Sequence, residues 1–206
     1  WLSATVFYVR SSDVVAFWGG PLADDSTIHR HVQQAGFRAR EEEKRRERSA
    51  QIPALREEMI RKAGEESGKR SFSLLIMMDG WMARERGPEW GQKPAEKAGE
   101  RVCWREMKTA IILRVEDRAK TASGRPLVIE KAIVAHQGEW DGLSKKLYAE
   151  AVRRGLHQAK EVFIVADGGI WIWNLKQERF PHATGVLDFY HASQHLWAAA
   201  HALHEN

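Results

Sequence analysis

The stretch FIVADGGIWIWNLKQERFP, residues 163–181, decides the reading of this chain. Phe163, Ile164, Val165 and Ala166 form a short apolar run, which predicts a buried strand over 161–167. The run ends in Asp167, a carboxylate that is costly to desolvate and so is placed at a strand end for a reason. Gly168 and Gly169 carry no Cβ and allow a backbone or a ligand to come close. The next residues, 170–180, predict a helix. Trp171 and Trp173 lie two apart, so they do not share a helical face, and core packing is the plain reading of both.

Outward from this stretch, the order of elements is α/β. Strands are predicted at 71–79 (SFSLLIMMD), 105–117 and 126–137. The second and third are antiparallel candidates joined by the turn-rich KTASGRP. A helix is expected over 143–155, with Ser144 as N-cap and Gly155 as its stop. The strand 161–167, the helix 170–180, a strand over 183–190 and a helix from about His191 complete the core. Aspartates stand at the ends of three strands: Asp79, Asp167 and Asp188. In open α/β sheets, functional groups gather at strand ends.

Upstream, residues 38–70 are dominated by interleaved Glu, Lys and Arg at helical spacing. They predict an exposed charged helical linker that Pro53 interrupts. Residues 1–37 contain the turn Trp18-Gly19-Gly20-Pro21 between helix-like SSDVVAFW and DDSTIHRHVQQAG. Asp24, Asp25 or Ser26 would cap the second helix, giving a helix-turn-helix-like segment in which His29 and Arg30 face DNA. The domain reading is therefore 1–37, 38–70 and a layered core over 71–206.

At 206 residues, 43% hydrophobic and 29% charged, the chain suits one sizeable globular domain with a small appendage. No apolar run reaches the ~20 residues of a membrane-spanning helix, so no membrane partner is expected. The start, WLSATVFYV, lacks Met and a signal-peptide layout and reads as an internal cut. The single cysteine, Cys103, forms no internal disulfide and suits a reducing cytoplasm. A net charge of +4 permits an anionic partner such as nucleic acid.

MMDGWMAR and VADGGIWIW share one pattern, an apolar strand followed by Asp-Gly and then an aromatic residue. Asp-Gly commonly does no more than turn a chain after a strand. Asp79 and Asp167 lie far apart in sequence, so any partnership between them is tertiary. Two neighbouring carboxylates repel and call for a counter-charge, most simply Mg²⁺ or Mn²⁺ on oxygen ligands. A pair of such ions activates a water or 3′-hydroxyl and steadies the leaving oxygen in phosphoryl transfer.

Three strands, a helix and a fourth strand ending in a second Asp resemble the RNase H-like nucleotidyltransferase core, a mixed sheet flanked by helices. Four segments also resemble bacterial insertion-sequence transposases of the DDE type, close to the Mutator-like superfamily. They are MMDGWMARER, CWREMKTAIIL, VADGGIWIWNLKQERFPHATGVLDFYHASQHLW and PLADDSTIHRHVQQAG. The resemblance implies that Asp79 and Asp167 are catalytic metal-binding aspartates holding two Mg²⁺ or Mn²⁺ ions. It makes Asp188 and His191 an Asp-x-x-His signature. It implies cleavage and strand transfer at terminal inverted repeats, with target DNA as second substrate. A homo-oligomer and a nucleoid-associated, cytoplasmic location in a bacterium follow from it as well. The third acidic residue of such enzymes, a glutamate far downstream, has no convincing counterpart, because Glu205 follows Asp188 and His191 too soon. The expectation is an N-terminal and central fragment, inactive alone, with a DNA-binding remnant without chemistry as the alternative.

Other motifs carry less. GEESGKRS (64–71) imitates a phosphate-binding loop but has the wrong glycine spacing and Arg70 in place of the hydroxyl. His191 and His195 are one helical turn apart, yet no further ligands follow for zinc. Cys103 reads as a small strand-edge residue. Arg105 and Lys108 are candidate phosphate contacts.

Overall fold

A computed structural model of the protein describes residues 24–68, 70–86 and 102–204. The chain divides into two compact units, Trp1–Arg46 and Glu47–Asn206. Helix-like SSDVVAFW, its glycine turn and Glu205 lie outside the described residues. No described helix is long and apolar enough to cross a membrane.

The first helix, α1, runs Asp25–Gln51 without a break across the boundary expected at residue 37. Its cap is Asp24, whose Oδ1 accepts the Thr27 backbone N–H at 2.7 Å. Ion pairs one turn apart, such as Lys44–Glu41 at 2.9 Å, lace its charged part. Pro53 does not interrupt a helix interior. It opens α2, Pro53–Ser67, at a position where its missing N–H costs nothing.

The core of the second unit is a five-stranded mixed sheet with helices packed on it. Its strands are β1 (Ser73–Arg86), β2 (Val102–Arg114), β5 (Ala132–Gln137), β6 (Glu161–Ala166) and β7 (Thr184–Leu187), in the order β5-β2-β1-β6-β7. Only β2 runs against the others. The turn KTASGRP joins β3 (Arg118–Lys120) to β4 (Pro126–Val128) in a separate two-stranded ribbon. The single strand expected over 126–137 is therefore two, because Ile129–Lys131 leaves one ladder before β5 joins the other.

Alternation sorts the sheet into two faces. Leu74, Ile76, Met78, Ala110, Ile112, Ile164 and Ala166 point to one side and are buried. Leu143, Leu147 and Ala151 of α3 (Trp140–Arg153) and Ile172 and Leu175 of α4 (Ile170–Arg179) cover them. The opposite face carries Met77, Ile133 and Val186 with large exposed areas. Ser144 is not a cap. It is buried inside α3, and its hydroxyl accepts the Arg179 Nε–H at 2.9 Å. Gly155 does stop α3: at φ 92° it takes the left-handed turn that ends the helix. Arg114 ties this end to the sheet, donating to the Arg154 carbonyl from Nε at 3.2 Å and from Nη2 at 3.0 Å.

Candidate active site

The largest difference from the sequence reading is at Asp79. It does not end β1, because the antiparallel ladder with β2 continues from Asp79↔Thr109 to Arg86↔Val102. A continuous row of backbone hydrogen bonds outweighs the local turn preference of Asp-Gly. What ends at Asp79 is the neighbouring strand. Met78 pairs with Ala166, the last residue of β6. Asp79 and Asp167 are thus the next residues on adjacent parallel strands, whose backbones lie ~4.8 Å apart. Both sit on the face opposite the helices.

Asp167 is held from its own turn. Its Oδ1 accepts the Gly169 N–H at 2.8 Å, so the bland turning role of Asp-Gly is realised here together with any other. The glycines divide their tasks. Gly168 borders open space, whereas a Cβ on Gly169 would stand 2.9 Å from Asp167 Oδ1 and 3.3 Å from Trp171 Nε1. Gly169 therefore admits the protein's own side chains, not only an incoming backbone as the sequence suggested.

Asp188 joins the pair through the next strand. Its N–H donates to the Ala166 carbonyl at 2.8 Å, continuing the β6–β7 ladder by one step. Its Oδ1 accepts the Tyr190 N–H at 3.0 Å and caps α5, Phe189–His204. His191, in the first turn of α5, places Nε2 3.9 Å from Asp167 Oδ2. Asp79, Asp167, Asp188 and His191 line one cavity of about 300 Å³ with Met77, Thr109 and Ile111. Sequence reasoning missed Thr109. Its Oγ1 donates to the Asp79 carbonyl at 3.3 Å, and only the β1–β2 register reveals it.

A divalent cation suits this donor set in part. No described residue donates a hydrogen bond to the Asp79 carboxylate, and one oxygen of Asp167 is free of backbone N–H groups. Mg²⁺ keeps several waters and needs only one or two carboxylates. Among the described residues, no group of three or more His, Cys, Asp or Glu side chains is placed to hold a metal ion.

The other candidates separate. Lys108 is buried, so it does not face solvent as a phosphate contact should. Its Nζ donates to the Gly138 carbonyl at 3.0 Å, pairs with Glu106 at 2.7 Å and lies 5.5 Å from the Trp171 ring centroid. Residue 108 points to the helix face, where a lone cation would be costly. Arg105 is exposed and lies on the carboxylate face, 3.9 Å from Glu85. His29 and Arg30 are exposed on α1 in the first unit, and His29 Nε2 lies 3.4 Å from Gln33 Nε2. Cys103 stands on β2 opposite Glu85, as a strand residue. Trp171 and Trp173 are both partly buried, and Trp171 packs against the core as the sequence predicts.

No model of a known protein family matches the chain, and no curated protein matches it.

Proposed function

We propose that this chain belongs to a DDE transposase with an RNase H-like core, and that Asp79 and Asp167 are its metal-binding aspartates. One observation carries the reading: the Met78↔Ala166 register makes Asp79 and Asp167 the next residues on adjacent parallel strands, lining one cavity. The order of elements supports it too. Within the five-stranded sheet, three strands, a helix and a fourth strand parallel to the first precede the second aspartate, with the β3–β4 ribbon inserted between the second and third.

Held between Asp79 and Asp167, Mg²⁺ or Mn²⁺ would supply charge neutralisation and Lewis-acid activation for phosphoryl transfer. The protein's share is positional. Gly169 fixes one oxygen of Asp167, and the β-ladder with Thr109 fixes the Asp79 backbone. Asp188, which caps α5, and His191 in its first turn line the same cavity. DNA is the substrate in this reading, at the ends of a mobile element and at a target. A third acidic ligand would come from outside the described residues, and a homo-oligomer on paired DNA ends would form the active complex.

The test is calorimetric titration of the 206-residue chain with Mn²⁺, followed by Asp79→Asn and Asp167→Asn. Binding that either substitution weakens at least about tenfold supports the reading. Binding to the wild type that both variants retain, or no binding at all, leaves a DNA-binding remnant as the function to pursue.

A further inference from the structure

Beyond the carboxylates, β1 and β2 form an arm of unusual composition. β6 stops opposite Met78 and β5 stops opposite Met107, but β1 and β2 stay paired to Arg86↔Val102. Past Trp81↔Met107 the arm is therefore a two-stranded ribbon. Such a ribbon ordinarily shields its apolar residues or carries few. This one leaves Trp81 50% and Trp104 60% exposed.

The two indoles are not equivalent. Residues i and i+2 of a strand share a face, so Trp81 lies on the face of Asp79, ~7 Å further along β1. Arg105, opposite Ala83, is on that same face, and so are Glu85 and Gln137, whose side chains bond at 2.6 Å. Trp104, opposite Arg84, points the other way, away from the carboxylates.

We propose that Trp81 and Arg105 form a stacking platform for an unpaired nucleotide of DNA beside the reacting phosphodiester. This rests on the reading of Asp79 and Asp167 as the phosphoryl-transfer centre. The ~7 Å offset along β1 puts the indole beside that centre and on its face of the sheet. An exposed indole offers a flat surface to a base face, and a base presents its face only when unpaired or flipped out. Arg105 supplies the matching charge. Its contact with Glu85 is long and solvent-exposed, hence weak, and a phosphate replaces it readily with shorter charge-assisted hydrogen bonds.

The experiment uses the whole 206-residue chain and a short single-stranded DNA carrying 2-aminopurine, in Ca²⁺ to support binding, with anisotropy and probe quenching as readouts. Trp81→Ala is expected to weaken binding about tenfold and remove the quenching, while Trp81→Phe retains most of both. Trp104→Ala, on the far face, is expected to leave both unchanged. Unaltered binding by Trp81→Ala, or equal losses from Trp81→Ala and Trp104→Ala, overturns the platform. Manganese titration separates the two readings. Asp79- and Asp167-dependent Mn²⁺ binding with an inert Trp81→Ala sinks the platform alone. Trp81-dependent quenching in a protein that binds no Mn²⁺ supports the platform and sinks the phosphoryl-transfer reading.

Discussion

Met78 of β1 and Ala166 of β6 are partners in a parallel ladder, and each is followed by aspartate. This one register carries the candidate site. A slip of one residue would turn one carboxylate to the helix side of the sheet, because side chains alternate with a period of two. The core residues Ile76, Met78, Ile164 and Ala166 hold the register, since all four are buried on the helix face.

That burial predicts an effect of packing on stability and none on the site. Ile164→Ala, whose side chain does not line the cavity, is expected to cost about 2–5 kcal/mol of stability. Urea denaturation measures the loss. Where the variant still folds, its Mn²⁺ affinity is expected to match that of the wild type, because the ladder and not the isoleucine side chain sets the aspartates. A retained stability would mean that the ladder does not rely on this contact.

Lys108 is expected to be structural. Lys108→Met leaves the Gly138 carbonyl without its donor and is expected to lower stability by about 1–3 kcal/mol. The salt dependence of DNA binding should stay as in the wild type, since a buried lysine releases no counterions. Arg105→Ala is expected to do the reverse, reducing the salt slope by about 1 with little change in melting temperature. Paired measurements of anisotropy against salt and of thermal melting check both.

Gly155 is expected to resist substitution. At φ 92° an alanine is strained, and its Cβ would stand 2.8 Å from the Phe72 ring. Gly155→Ala is therefore predicted to destabilise by about 1–3 kcal/mol, measured by thermal or urea unfolding. Gly168→Ala, facing open space, should cost far less.

Glu150 gives a pH dependence. Burial pushes its carboxyl upward, but hydrogen bonds and charge from Arg153 at 2.6 Å and Arg154 at 3.0 Å prevail and hold it below its ordinary 4.5. A depressed folded-state pKa adds stability that is fully present above about pH 4.5 and fades as pH falls through the folded value. Wild type should exceed Glu150→Gln in stability near pH 7, and the gap should narrow below pH ~4.5. Melting temperatures across that range check it, and a gap that widens in acid would contradict the arrangement.

Most of the apolar strands, their order around the helices, and Asp79, Asp167 and Asp188 after or within them were legible in the sequence, though the strand read over 126–137 is two. Those features are local: hydrophobic runs, glycine stops and charge spacing act over a few residues, so 161–167 and 170–180 were legible nearly to the residue. The rest came from long-range strand pairing. Asp-Gly at 79–80 reads as a turn, yet a ladder to Arg86 carries the strand through it. Lys108 reads as a surface cation, yet its register with Gly80 turns it toward the helix face. Thr109 carries no local signal and reaches the site because it stands across from Asp79. Strand register is set by long-range hydrogen bonding and shared burial. No window of sequence contains both partners, so the pairing of the two aspartates became visible only when β1 and β6 lay side by side.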